Sequence, residues 1–308
     1  MSFRTPSTPK RAWRYWRNLG GFTLAALVVA WAFLLYVAQP YLLSRGWTHP
    51  QRLPVCCVTP ADHGLTYEAV SFTTRDGLTL RGWYIPSRNG AAVMMLHGIA
   101  SNRVGVLDHA VLLARRGYGV LMFDARAHGE SEGEVLQFGG DEAEDVRGAA
   151  NFLQSRPDVD PERIGALGLS LGAQMSILGA ARTEAVKAVV ADAPCCTTFS
   201  DWAPPQTAEE WLYVPFDLTF FQFLRWHTGV SDPLSVRDAL AQLSPRPVLI
   251  IGGGGAEQRS VEHLFAAARE PKQLWIIPEA GHIAGLSVRP QEYEAKVASF
   301  FDEAILGK

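Results

Sequence analysis

The stretch Gly168-Leu169-Ser170-Leu171-Gly172 lies between an apolar run, Arg163 to Gly168, and an alanine-rich run, Ala173 to Arg182. This order of strand, sharp turn and helix is the context that a G-x-S-x-G nucleophile elbow requires. Glycine on each side of the serine leaves room where a Cβ would collide with neighbouring backbone. Backbone N–H groups at the start of the helix can stabilise developing negative charge. The stretch therefore predicts a nucleophilic Ser170.

Composition limits the class of protein. The chain has 308 residues, of which 48% are hydrophobic and 19% charged, with a net charge of -3. This length is sufficient for one large α/β domain with an ample core. No basic stripe is interleaved with aromatic residues, so we expect no nucleic-acid partner.

The N-terminal region predicts a membrane anchor. Residues 1–18 form a basic tail, and Leu19 to Leu43 contains no charge. At about 1.5 Å per helical residue, such a run can cross a hydrocarbon core of roughly 30 Å. The basic excess before it predicts a single-pass protein whose catalytic domain lies on the extracytoplasmic side. A cleaved signal peptide is the alternative. Residues 44–65, rich in proline, are expected to be a linker to a domain at 66–308.

The four cysteines form two adjacent pairs, Cys56-Cys57 and Cys195-Cys196. Their spacing is not that of a zinc site, and we expect neither a metal nor an organic cofactor. The thiols are either free and buried, or one cysteine of each pair joins the linker to the domain.

The rest of the chain alternates between strand and helix patterns. Asp76-Gly77 predicts an antiparallel hairpin, and continuous apolar runs then alternate with helical segments. This alternation predicts a doubly wound, mostly parallel sheet. The predicted strands are Tyr67–Thr74, Leu78–Ile85, Ala91–Leu96, Gly119–Phe123, Arg163–Gly168, Val186–Ala191, Pro247–Ile251 and Gln273–Ile277.

Two loops at strand ends supply the remaining candidate residues. Loops at the carboxyl ends of parallel strands are where catalytic groups gather. After the first parallel strand, the His97-Gly98 loop is similar to the oxyanion loop of hydrolases, which makes the backbone N–H groups of Ile99 and Leu171 the predicted oxyanion donors. His282, past the last strand, is the predicted base, because it follows the serine in chain order. We interpret His128, which precedes the serine, as a residue that organises its loop.

From about Tyr67 to Leu306 the chain resembles α/β-hydrolases of the serine aminopeptidase and dienelactone hydrolase kind. The resemblance implies the α/β-hydrolase fold and a serine hydrolase that cleaves an ester or thioester through an acyl-enzyme. A peptidase, or a membrane-tethered binding protein of weak or no activity, is the alternative. The chain departs from the pattern at Ala127, where glycine is usual, and this bears on loop shape. The motifs that carry the resemblance are Asp76-Gly77-Leu78, Gly82-Trp83-Tyr84, Leu96-His97-Gly98, Asp124 to Ser131, Gly168 to Gly172 and Gly281-His282.

The acid of the expected triad departs from the family pattern. The family places an aspartate shortly after the strand that ends at Ile251, but here four glycines and Ala256 precede Glu257. Glutamate can also orient an imidazole and stabilise its cation. Glu257 is therefore the predicted acid, Asp192 is the alternative, and Asp232 is a third, which we expect instead to cap a helix.

An aromatic-rich insert at about 195–232 is expected to form a lid over the serine. An apolar lid predicts a small-molecule or lipid-like substrate with an apolar acyl or aromatic substituent. The aromatics could instead only pack the lid on the core, or contact the bilayer. The predicted substrate-binding residues are His97, Trp202, Trp211, Phe216 and Phe220.

Overall fold

The computed structural model describes residues 9–308, with side chains from residue 13 onward. The first eight residues of the predicted basic tail lie outside this range. The sheet consists of β1 Glu68–Thr73, β2 Thr79–Ile85, β3 Ala92–Leu96, β4 Gly119–Phe123, β5 Ile164–Leu169, β6 Ala188–Asp192, β7 Val248–Gly253 and β8 Lys272–Ile277.

These eight strands form one sheet in the order β1-β2-β4-β3-β5-β6-β7-β8. The first two strands pair antiparallel, β2 also runs antiparallel to β4, and every other neighbouring pair is parallel. The predicted mostly parallel sheet of an α/β-hydrolase is confirmed. The central strands β3 to β7 are buried along their whole length, which explains their continuous apolar sequences.

Helices cover both faces of the sheet, and a separate hydrophobic core lies against each face. One core includes residues of the helices before and after β5, and the other includes residues of the C-terminal helix. The helices are α1 Pro9–Phe33, α2 Gln39–Thr48, α3 Leu107–Arg115, α4 Glu142–Gln154, α5 Leu171–Arg182, α6 Ala208–Thr228, α7 Val236–Leu243, α8 Ala256–Ala267, α9 Gly285–Val288 and α10 Pro290–Phe301.

The N-terminal helix is longer than the predicted span of residues 19–43. A π-helical turn, Leu34–Ala38, joins α1 to α2, so that the chain is helical from Pro9 to Thr48. The segment Trp13–Thr48 is long and apolar enough to cross a membrane, a property that signal sequences near an N-terminus share. Its large apolar side chains are exposed over most of α1, including Phe22 and Trp31.

The segment predicted as a linker is attached to the domain. Its first residues, up to Thr48, continue α2, and the carbonyl of Thr48 accepts a 2.8 Å hydrogen bond from the N–H of Leu136. The guanidinium of Arg52 donates to four backbone carbonyls between His128 and Gly133. The base of the N-terminal helix is therefore anchored to the loop that follows β4.

The lid is organised around one helix, α6, whose N-cap Thr207 accepts a hydrogen bond from the N–H of Glu210. It packs on α2 through aromatic pairs, with ring centroids 5.0 Å apart for Phe220 and Trp47 and 5.4 Å apart for Phe223 and Tyr41. Beyond the lid, Ser235 caps α7. The expectation that Asp232 caps this helix was wrong, because the N-cap is Ser235, three residues later, and the helix begins at Val236.

A close contact between α4 and α5 gives a test of the packing. A Cβ on Gly179 of α5 would lie 2.3 Å from the Cβ of Val146, whereas one on Gly46 of α2 would have no atom within 4 Å. Overpacking costs about 1–3 kcal/mol and alanine gains up to about 1 kcal/mol of helix propensity. We expect Gly179→Ala to lower the melting temperature of the detergent-solubilised protein and Gly46→Ala to leave it unchanged or raise it. Equal melting temperatures for the two variants would contradict this packing.

Candidate active site

Ser170 lies at a sharp turn between β5 and α5 with φ of 54° and ψ of -114°. This is the left-handed region, which a serine occupies only under strain. A Cβ on Gly172 would come within 2.1 Å of the carbonyl oxygen of Leu96, and one on Gly168 within 2.1 Å of that of Gly172. The two glycines are therefore required by backbone contacts, and they hold the serine hydroxyl at the carboxyl end of the sheet.

His282 bridges the serine and a carboxylate. Its Nε2 lies 2.9 Å from the Oγ of Ser170, and its Nδ1 lies 2.5 Å from Oε2 of Glu257. The other carboxylate oxygen of Glu257 accepts a 2.6 Å hydrogen bond from the N–H of Gly253. With Nδ1 protonated toward Glu257, Nε2 is free to accept the serine proton.

The four-glycine run explains how a glutamate reaches the histidine. The strand β7 continues to Gly253, and Gly255 adopts φ of 67° immediately before α8 begins. A Cβ on Gly254 would lie 2.2 Å from the carbonyl oxygen of Pro278, so this glycine passes close to the loop that carries His282. Glu257 consequently lies in the first turn of α8, where the helix dipole favours a negative charge.

The pKa shifts agree with this arrangement. The hydrogen bond with the Glu257 carboxylate raises the pKa of His282, and partial burial offsets only part of that effect. Burial acts to raise the pKa of Glu257, but the hydrogen bonds from His282 and from the N–H of Gly253 outweigh it, and the net shift is downward. The pair is therefore stabilised with the carboxylate ionised and the imidazole basic.

The alternative acid, Asp192, has a different partner. Its Oδ2 accepts a 2.8 Å hydrogen bond from the hydroxyl of Tyr293, and only 2% of the residue is exposed. Burial raises the pKa of Asp192 to about 6. Its backbone carbonyl accepts a 2.8 Å hydrogen bond from the N–H of Ser170, so Asp192 supports the elbow through its main chain.

The two predicted oxyanion donors lie on either side of the serine. A Cβ on Gly98 would lie 3.5 Å from the Cβ of Ser170, which shows how closely the loop after β3 approaches the elbow. Ile99 follows that glycine, and Leu171 begins α5. Neither backbone N–H has a hydrogen-bond partner within residues 9–308. Both remain available to a ligand.

His97 does not line the cleft. It is 1% exposed, its Nδ1 donates to the carbonyl of Gly98 at 2.7 Å, and its Nε2 accepts from the N–H of Ala125 at 3.1 Å. Burial lowers the pKa of His97, so the neutral ring acts as a brace between the loops after β3 and β4. The prediction that His97 contacts substrate is at odds with this burial.

His128 and Ala127 occupy the second of these loops. His128 is buried, its ring lies 5.0 Å from that of His97, and its Nδ1 donates to the carbonyl of Arg126 at 2.9 Å. Ala127 adopts φ of 62°, the conformation for which glycine is usual. The position of His128 agrees with a role in organising the loop.

A cleft of about 230 Å³ lies beside the histidine and the acid. Its wall includes Trp202 and Cys195, and the lining is mainly apolar. A neighbouring cleft of about 270 Å³ between α6 and α8 shares Trp202, Ala256 and Ser260 with it. The two clefts therefore adjoin each other at these shared residues, and together they are the depression between the lid and His282.

The lid aromatics divide into several groups. Trp202 lines both clefts, whereas Trp211 is 61% exposed and Phe220 is 1% exposed. Phe216 is half-buried and packs against the core beneath the lid. Trp211, Phe216 and Phe220 are absent from the cleft linings, and Phe220 is turned toward Trp47 instead.

Sequence reasoning missed the residues that α6 does contribute to the cleft. A helix brings residues three, four and seven apart onto one face, and this spacing could have identified the set. They are Glu210, Tyr213, Val214 and Asp217.

All four cysteines are free. Cys56 and Cys57 are exposed. Cys195 lies in the cleft wall, Cys196 is buried, and their sulfur atoms are 3.4 Å apart. The disulfide between linker and domain, which was the alternative prediction, is not present. Among residues 9–308, no group of three or more His, Cys, Asp and Glu side chains is placed to hold a metal ion.

Comparison with known proteins identifies the family of the chain. Residues 34–223 match the family model of the X-Pro dipeptidyl-peptidase (S15) family. The YfhR protein of Escherichia coli is 30% identical over 252 residues, which cover 77% of this chain and 81% of YfhR. A polyketide transferase of Stachybotrys chlorohalonatus is 42% identical over 220 residues, covering 68% of this chain and 65% of the transferase.

Among solved structures, an esterase of Pyrococcus furiosus superposes with a TM-score of 0.69 at 27% identity, covering 84% of this chain and 98% of the esterase. The residues that the family model matches include β1 to β6 and the serine elbow, and they also include α2 and most of α6. The chain is therefore a hydrolase of the α/β-hydrolase superfamily and belongs to the X-Pro dipeptidyl-peptidase (S15) family.

Proposed function

We propose that the protein is a serine hydrolase that cleaves an ester or thioester of an apolar acyl group through an acyl-enzyme. The observation that carries this proposal is the position of His282 between Ser170 and Glu257, at 2.9 Å and 2.5 Å. These distances are within the range over which a nucleophile, its base and the orienting acid exchange and hold protons.

The geometry supports the following sequence of steps. His282 accepts the proton of Ser170 as its oxygen attacks the substrate carbonyl, and the N–H groups of Ile99 and Leu171 stabilise the oxyanion. The carbon–oxygen or carbon–sulfur bond breaks as the histidine protonates the leaving group. A water molecule, deprotonated by His282, then attacks the acyl-enzyme, which releases the acid and restores the serine. Glu257 keeps the imidazole oriented and stabilises its cation throughout.

The cleft favours an apolar acyl group. Trp202, Leu264, Pro194 and Ala193 line the depression beside His282. Apolar walls with few polar groups bind an acyl chain or a ring more readily than a charged side chain. One similar protein is named an esterase and another a polyketide transferase. Both names agree with chemistry on an activated acyl group, and we therefore place ester or thioester cleavage first.

Peptide cleavage is a second candidate, favoured by the description of the family model as a dipeptidyl-peptidase. The triad geometry serves both reactions, because both pass through an acyl-enzyme. An X-Pro para-nitroanilide and a para-nitrophenyl ester, assayed side by side, separate the two. A higher kcat/KM for the anilide would replace our proposal with peptidase activity.

Labelling with a fluorophosphonate probe tests the nucleophile directly. We expect the wild type to react and Ser170→Ala to lose both labelling and about 10⁴-fold or more of its esterase rate. Ser287, an exposed serine on α9, provides the matched control, and Ser287→Ala should label as the wild type does. A folded wild-type sample that does not react would favour the binding-protein alternative.

The pH dependence tests the acid. Activity requires neutral His282, and its raised pKa places the acid limb of kcat/KM above the ordinary histidine value. In Glu257→Gln the negative partner is lost, so the pKa of His282 falls and the limb moves to lower pH. We expect kcat to fall about 10²–10⁴-fold in the same variant, because the imidazole loses its orientation and charge stabilisation.

Asp192→Asn is the control for this experiment, because an asparagine oxygen can still accept the hydrogen bond from Tyr293. We expect it to retain kcat within a few-fold and to shift the limb less than Glu257→Gln does. Equal losses in the two variants would show that Glu257 has been assigned the wrong role.

A further inference from the structure

The lid helix α6 presents three different faces. One face lines the cleft, with Tyr213, Val214 and Asp217. A second face packs on α2 through Phe220 and Phe223. The third face is exposed to solvent, and its four large apolar side chains are 50–66% exposed. They are Trp211, Leu212, Leu218 and Trp226.

The contacts between α6 and the N-terminal helix lie around Thr219. The hydroxyl of Thr219 donates to the carbonyl of Tyr36 at 2.8 Å. The next residue, Phe220, packs on Trp47, and the rings of Tyr41 and His227 have centroids 5.1 Å apart. The first half of α6, before Thr219, therefore extends from a contact with the N-terminal helix at Tyr36.

The contact residue Tyr36 lies within Trp13–Thr48, the apolar segment that is long enough to span a bilayer. A span of about 20 residues is needed to cross roughly 30 Å of hydrocarbon. Counted from Leu19, where the uncharged run begins, such a span ends near Ala38, two residues beyond the contact with Thr219. Thr219 of α6 thus lies at the level at which such a span leaves the membrane.

The exposed face of α6 carries apolar side chains along its length. Before Thr219 it carries Trp211, Leu212 and Leu218, and after it Trp226 is exposed together with the polar residues Gln222 and Arg225. Exposed tryptophan and leucine side chains with polar residues at one end are typical of a helix that lies in the interface of a bilayer. An isolated exposed leucine needs no explanation, but a contiguous set beside a spanning helix does.

We propose that the first half of α6 is seated in the bilayer interface, and that an amphiphilic ester or thioester enters the active site from the membrane through the cleft between α6 and α8. Its acyl chain passes between Tyr213 and Val214 of α6 and Trp202, and its carbonyl reaches Ser170. The Glu210–Arg259 ion pair, with N···O of 2.6 Å, lies at the same cleft and suits a polar headgroup. The entry route rests on the proposed function, whereas the seating of α6 does not.

Depth-dependent quenching tests the seating without using catalysis. The experiment uses the full-length protein with Cys56→Ser and Cys57→Ser, in phosphatidylcholine nanodiscs. An environment-sensitive fluorophore is attached at Leu212→Cys or at Leu218→Cys, and spin-labelled lipids are the quencher. Arg75→Cys, in the exposed turn between β1 and β2, is the reference, and the unsubstituted background corrects for labelling of Cys195. We expect about threefold stronger quenching at 212 and 218 than at 75, because apolar side chains partition into the interface. Equal quenching at all three positions would overturn the proposal.

A substrate comparison tests the entry route. The measured quantity is kcat/KM for vesicle-borne para-nitrophenyl palmitate divided by kcat/KM for para-nitrophenyl acetate. We expect Leu212→Asp/Leu218→Asp to lower this ratio about tenfold, since the variant loses two leucine side chains that the proposal places in the bilayer interface. Val288→Asp makes the same change at an exposed apolar residue of α9 and should keep the ratio. Quenching at 212 and 218 with an unchanged ratio would overturn entry from the membrane. Quenching without fluorophosphonate labelling of Ser170 would instead reject the proposed function and leave the seating of α6 intact.

Discussion

The position of Ser170 depends on two places where backbone meets backbone without an intervening side chain. Gly172 contacts the end of β3, and Gly168 contacts the first turn of α5, each so closely that a Cβ would fall 2.1 Å from a carbonyl oxygen. A close-packed interior cannot yield at such points, so the serine keeps its strained φ of 54°. His282 comes from the loop after β8 and Glu257 from the first turn of α8, so the distances between the three side chains depend on an elbow that does not move.

Buried ion pairs hold the loops that surround this elbow. Arg103 donates to Asp124 at 2.7 Å, and Arg126 donates to Asp145 at 2.6 Å, with all four side chains at most 3% exposed. Buried charges of this kind are costly to leave unpaired, typically about 3–5 kcal/mol when one partner is removed. The first pair joins the segment after β3 to the loop after β4, and the second joins the loop after β4 to α4, while His97 is a neutral brace between the same two loops.

Much of this arrangement could be predicted from local sequence. The strand Gly119–Phe123 has the predicted bounds, because its apolar run is too short for a buried helix and is flanked by turn signals. Motif and chain order predict Ser170 and His282, and Glu257 is predicted as the first carboxylate after the strand that ends near Ile251. In the structure the three side chains lie within hydrogen-bond distance of one another in sequence. The lid could not be resolved in the same way, since aromatic content does not reveal which face a residue occupies. Phe220 packs against Trp47, which is 173 positions earlier in the chain, and no local pattern encodes that contact.

The helix α8 carries the acid and one wall of the cleft within a single turn. Glu257 reaches His282, while Ala256, Arg259 and Ser260 face the depression next to α6. One helix therefore serves both the shape of the cleft and the orientation of the imidazole. A substitution that shifts the start of α8 changes the two together, so the width of the cleft cannot be altered from this side without also moving the acid.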